Sequence, residues 1–185
     1  GSASLAGFEV AGETVRSRWV RPELLTGGGP VAPSFAWLAD DTVAFQARTP
    51  TGTLELRWID GILGSSSRPP VELADSSLVR PLNAPFELSP GHVLQGLYDT
   101  RTTLIDYLLI DAATGTRIET GLGRPLTTST DRPATLFDVG ADGTQQLVVP
   151  QGNRLTVADP ATARPLDDAP SVRPGGVAMA LDLDA

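Results

Sequence analysis

The chain has 185 residues, 41% of them hydrophobic, with 19 Gly and 16 Pro, a composition that fits one packed, turn-rich domain and excludes a disordered chain. Its net charge of −8, from 22 acidic and 14 basic residues (all arginine), argues against a face that binds nucleic acid by neutralising phosphates. Cysteine is absent, which excludes disulfides and thiolate metal sites, and no apolar run reaches the ~18 residues needed to cross a bilayer as a helix.

In chain order, residues 1–4 read as a cloning remnant, and residues 5–185 as a single domain with any targeting segment of the gene lying upstream. Residues 8–10 and 14–20, around the Ala11-Gly12-Glu13 turn, predict a hairpin with Val15 and Trp19 facing a core. Three consecutive glycines in 26–30 mark a flexible connector. A first unit spans about 34–82. Its strands are 35–37, 42–47 with Val43 and Phe45 on one face, and 53–59 with Leu54, Leu56 and Trp58 inward. A Ser/Pro loop follows at 61–70, then an outer strand within 71–79. A second unit, about 86–126, pairs 93–98 with 103–110 through the loop 99–102 and adds a short strand at 117–120. A third, about 134–166, has strands at 136–139, 145–149 and 154–158. A last apolar strand is expected at 177–181.

The markers of these units recur in order. Asp60, Asp111 and Asp159 each end a strand, 51 and 48 residues apart; an Asp there accepts a hydrogen bond from an N–H two residues on, and Gly115 supplies the positive φ that closes its turn. Asp41, Gly91 and Gly143 mark earlier turns, 50 and 52 residues apart, and Pro81-Leu82, Pro125-Leu126 and Pro165-Leu166 close the units. A period near fifty predicts an all-β fold, a small or partial β-propeller of about four blades. The fourth blade is a composite of 5–30 and 171–185, so that the chain ends share it and no edge is left open. The alternative is a β-sandwich, whose strands and turns also recur at short intervals.

Chemistry-bearing residues are sparse. His92 is the only histidine and cysteine is absent, so the several N or S ligands of a zinc site are not supplied; a Ser-His-Asp triad would have to use His92, and no Gly-x-Ser-x-Gly elbow is present to offer the nucleophile. Asp40-Asp41 and Asp182 with Asp184 lack the spacing of a calcium loop. Neither a cofactor nor a metal is expected. Tyr98, Asp99, Arg101 and Asp106 gather around one hairpin, with Tyr107 beside them; the pair of carboxylates admits a glycosidase reading, and the Tyr/Arg content a protein contact. His92 completes this set of candidate contact residues. Trp19, Trp37 and Trp58 are read as core.

The stretches 35–45 and 54–60, with the turn Asp111-Ala112-Ala113-Thr114-Gly115, resemble the degenerate WD-like or YVTN-like blades of bacterial β-propellers, in particular the extracytoplasmic propeller domains of actinobacterial membrane proteins. The Gly-His and Trp-Asp pairs of WD repeats are missing. The resemblance implies a sensing or protein-binding ectodomain outside the cell membrane, tethered by an upstream segment, and supplies no catalytic motif. The expected function is therefore a non-enzymatic domain that binds another protein or a small ligand. A carbohydrate-active hydrolase or lyase is the second reading, and a homo-oligomeric assembly module the third.

Overall fold

The computed structural model describes residues 5–21, 35–125, 134–137, 145–151 and 154–166, and among these the chain is all-β, with fifteen strands and no helix. The strand expected at 177–181, the connector at 26–30, and Asp182 with Asp184 lie outside the described residues. Strands β1 (Leu5–Ala11) and β2 (Thr14–Arg21) form a hairpin. Strands β3 (Phe35–Trp37), β4 (Thr42–Arg48), β5 (Leu54–Asp60) and β6 (Ser66–Ala74) follow as a four-stranded antiparallel meander in sequence order. Next come β7 (Val79–Pro81) and β8 (Phe86–Ser89), both paired with β9 (His92–Asp99); then β10 (Leu104–Asp111), flanked by β9 on one side and by β11 (Arg117–Glu119) and β12 (Arg124–Pro125) on the other. The third sheet consists of β13 (Thr135–Phe137), β14 (Gln146–Gln151) and β15 (Arg154–Ala158).

Strand periodicity decides how these sheets meet. On β4 and β5, Ala44, Leu54, Leu56 and Trp58 pack with Val93, Leu97, Leu108 and Ile110 of the second sheet. On the opposite face Phe45, Ala47 and Ile59 pack with Trp19 of the hairpin. The second sheet repeats the arrangement, since Leu94, Ile105, Tyr107 and Leu109 face away from the first sheet and pack with Leu147, Val149 and Ala158 of the third. Both faces of the two central sheets are thus buried, which is why β10 reads Leu-Leu-Ile without alternation. In β5 the intervening Glu55 and Arg57 pair with each other at 2.9 Å.

The strand-ending aspartates build one and the same turn. The Oδ1 of Asp60 accepts from Ile62 N at 2.9 Å and Leu63 N at 2.7 Å, and that of Asp111 from Ala113 N at 2.8 Å and Thr114 N at 2.9 Å. At Asp159 the acceptor serves Ala161 N at 2.6 Å. In each case the residue four further on donates to the Asp carbonyl (Gly64, Gly115 and Ala163) and has positive φ, of 68°, 72° and 53°. Ala163 takes the left-handed position without glycine's freedom, at a cost of about 1 kcal/mol.

Four sequence expectations are corrected. The loop at 61–70 is shorter, because β6 begins at Ser66 and carries Pro69 and Pro70 as an outer strand paired only with β5, where missing N–H donors are tolerated. Val79–Pro81 belongs to the second sheet by its pairing with β9. Val15 is 63% exposed while Trp19 is buried: the register slips between Gly7 and Phe8, which breaks the alternation linking the two. Trp37 is 56% exposed, because β3 lies at the edge of its sheet.

Trp19 fastens the hairpin to the first sheet. Its Nε1 donates to Gly61 O at 3.1 Å, and Arg21 Nε donates to Gly64 O at 2.7 Å. A Cβ at Gly64 would lie 2.4 Å from Trp19 Cγ, besides forcing a side chain into positive φ. Gly64→Ala is expected to cost about 2–4 kcal/mol through overpacking plus backbone strain. Gly12→Ala, also at positive φ but with no atom within 4 Å of the new Cβ, is expected to cost only about 1 kcal/mol. Urea unfolding of the two variants measures the difference, which is the hairpin's docking contact.

Candidate functional site

Strand β6 of the first sheet and the turn after Asp111 in the second meet along a seam, and a cleft of about 340 Å³ opens there. One wall is β6 from Arg68 to Glu72; the other is the turn from Ala112 to Gly115, together with Arg117. The buried side chains of Val71 and Ala112 make an apolar floor, and Gly115 keeps the walls close, because a Cβ there would come 3.3 Å from Val71 Cγ2.

Two guanidinium groups flank the cleft. Arg68 lies over Trp58, its Cζ 5.6 Å from the ring centroid, and pairs through Nη2 with Asp40; its Nη1 is buried with no hydrogen-bond partner among the described residues. Arg117 reaches across the seam from β11 and donates through Nη1 to Glu72 O at 3.1 Å. No carboxylate pairs with Arg117 among the described residues. The alternating burial of Val71, Glu72 and Leu73 turns the Glu72 side chain to the other face, so its carboxylate leaves Arg117 unneutralised. The apolar floor and paired arginines of this seam join residues about 45 positions apart, and local sequence motifs carry no signal for it.

Of the residues singled out from the sequence, the structure brings Asp99 and Arg101 together and sets His92 far from them. Asp99 and Arg101 share the β9–β10 loop, where Asp99 Oδ1 accepts from Arg101 N at 2.8 Å and the Arg101 guanidinium stands 3.9 Å from Asp99 Oδ2. Asp106 lies opposite Leu97 in mid-strand, not across from Arg101, and its Oδ1 accepts from Tyr107 N at 2.8 Å. Tyr98 packs partly buried against the core shared with the third sheet. His92 is at the other end of β9, opposite Asp111. Asp40 and Asp41 serve their own turn: Asp40 Oδ1 accepts from Thr42 N at 3.1 Å, and Asp41 Oδ1 from Trp37 Nε1 at 3.3 Å. Among the described residues no three His, Asp or Glu side chains gather as a metal site.

No protein-family model matches the chain, and no curated protein sequence matches it.

The turn carboxylates hold their charge by local hydrogen bonds. The backbone N–H of Thr114, with that of Ala113, holds Asp111 below the ordinary carboxylate value, and the backbone N–H of Arg101 does the same for Asp99. Burial pushes Asp40 upward, but hydrogen bonds from Arg68 and Thr42 outweigh it, so its value is also lowered. A carboxyl whose folded value lies below its unfolded one contributes stability that is complete above about pH 4 and is lost as pH falls through the folded value. Asp111→Asn keeps an acceptor at the turn and removes the titration. The variant is expected to unfold at lower urea concentration than the parent at pH 7, with the gap closing as pH drops below about 4. Urea midpoints measured between neutral and acid pH check it.

Proposed function

We propose that this chain is a non-enzymatic binding domain, built as a small β-propeller whose three meander sheets are successive blades. The observation that carries the binding reading is the seam cleft, an apolar floor flanked by an arginine that no acid neutralises among the described residues. The blade reading is supported by sheets that follow one another in sequence order, the first packed between the hairpin and the second sheet, and the second between the first and the third. The same Asp turn at Asp60, Asp111 and Asp159 fits a tandem array.

The hairpin is the place for closure. Phe8, Val10, Val15 and Val20 stand exposed on it, and β1 pairs only with β2 among the described residues. In the sequence Val177, Met179 and Leu181 alternate, as one face of a strand over 177–181 would require, and the acidic Asp182 and Asp184 that follow are opposite in charge to Arg16 of the hairpin. The extracytoplasmic, membrane-anchored setting rests on the resemblance alone, and a membrane-spanning segment encoded upstream is its test.

The hydrolase reading is disfavoured because one oxygen of Asp99 and one of Asp106 are each taken by a neighbouring backbone N–H, and neither residue lines the cleft. A thermal-shift panel of sugars, nucleotides, organic acids and peptides, followed by mass spectrometry, separates binding from turnover. A ligand that raises Tm and is recovered intact is expected; a panel member converted by the parent chain and spared by Asp99→Asn and Asp106→Asn would overturn the reading. For the closed ring, Met179→Asp is expected to cost about 2 kcal/mol or more, as burying an unpaired charge does, against the ±0.5 kcal/mol or so of an exposed position. Urea unfolding decides between the two.

A further inference from the structure

We propose that the seam cleft takes an apolar monocarboxylate, whether the free carboxyl end of a peptide or an aliphatic acid, with Arg117 gripping the carboxylate. The inference rests on the binding reading and deepens it by assigning the ligand's chemistry.

Arg117 presents a planar fork of donors of which one is committed, to Glu72 O at 3.1 Å, and it lies exposed at the cleft's rim. A guanidinium with spare donors and no acid beside it among the described residues matches a carboxylate in two parallel hydrogen bonds. Beyond it the walls turn apolar: Pro69 and Pro70 on one side, Ala113 on the other, with Val71 and Ala112 beneath. The prolines offer no N–H, so this part of the cleft favours a hydrocarbon over a polar chain. The ligand's charge is limited from both sides. One unneutralised arginine balances one negative charge, and a chain of net charge −8 repels polyanions such as nucleotides. Arg68, paired with Asp40 and lying over Trp58, adds a mostly compensated charge at the far end. A volume of about 340 Å³ is at the lower limit of small-molecule sites and holds the last few residues of a peptide or a short acyl chain.

The test is an amide-resolved NMR titration of the ¹⁵N-labelled full chain with sodium hexanoate, with an acetylated Leu-Val-Ala peptide bearing a free carboxyl terminus, and with the amide of each. Shifts are expected at Val71, Glu72 and from Ala113 to Arg117 with the acids and not with the amides. The stronger of the two acids identifies the source. Arg117→Gln is expected to weaken acid binding about tenfold or more, the worth of a charge-assisted hydrogen bond. Ala113→Glu, which leaves the Arg117–Glu72 contact intact, is expected to weaken it in the same direction by adding a negative charge at the rim. Amides that bind as tightly as the acids would overturn the carboxylate assignment while leaving the binding reading standing. Cleft amides that respond to no acid would overturn the inference, and a Tm increase with a non-acidic ligand in the same protein would then show that the binding reading survives it.

Discussion

The structure depends on sheets that are buried on both faces. A sheet with one wet face can vary half of its residues freely, but the sheets centred on β4–β5 and β9–β10 have no such half. Successive residues along β9 therefore face different cores: Val93 packs on the first sheet and Leu94 against the third. Each strand then acts as a divider between two packed layers, and a one-residue slip would exchange the contents of both cores at once. The register is pinned where strands end, and the Asp turn does this with hydrogen bonds that are internal to five residues.

Two polar arrangements reinforce that register from inside. Between the first and second sheets, Gln46 Nε2 donates to Gln95 Oε1 at 2.6 Å and to Asn83 O at 2.7 Å, while Gln95 Nε2 donates to Gly96 O at 2.7 Å. Both glutamines are buried, so each bond is made where water cannot compete and where a lost partner is costly. The network sits at the break between β7 and β8, where residues 83–85 leave the β9 ladder and need new partners. Gly96 is required there, because a Cβ would fall 2.4 Å from Asn83 Oδ1. At the opposite end of the sheets from the Asp turns, Arg48 donates to the carbonyls of Gly52, Ser76 and Val79, tying the β4–β5 loop to the start of the second sheet. Partial burial, with Arg80 nearby, lowers its pKa, and the three carbonyls partly offset that cost.

Much of this was legible in the sequence because its causes are local. The alternation of Leu54, Leu56 and Trp58, the unbroken apolar run in β10, and an Asp followed four residues later by Gly each express a constraint spanning fewer than ten residues. The bulge at Gly7 and Phe8 was not legible, since it rests on the Trp19 ring lying against Gly7 across the ladder, a pairing that shows only once the two strands are in register. The exposure of Trp37 escaped for a related reason: an aromatic residue in a strand reads as core until the strand's neighbours are known. The candidate residues are divided by strand register. Asp99, Arg101 and Asp106 are close in sequence, but the strand register sets Asp106 against Leu97, while the eight residues of β9 carry His92 to the far end of the sheet.

What sequence proximity cannot assemble, stacking can. Where two sheets meet over most of their area, close packing leaves no room for a ligand; at the rim the outermost strand and the neighbouring turn diverge. β6 carries two prolines there, which weaken its pairing with any further strand, and the Asp111 turn projects past the end of its own sheet. The cleft is thus a consequence of how twisted sheets stack, present before any residue is chosen to line it. What is particular to this chain is the lining. A seam needs apolar residues to stay closed, and Val71 and Ala112 meet that need. An arginine spanning the seam with spare donors does more than closure requires, because a neutral donor would satisfy Glu72 O equally well. That surplus charge, placed over an apolar floor in an acidic protein, is the feature of the seam that packing alone does not call for.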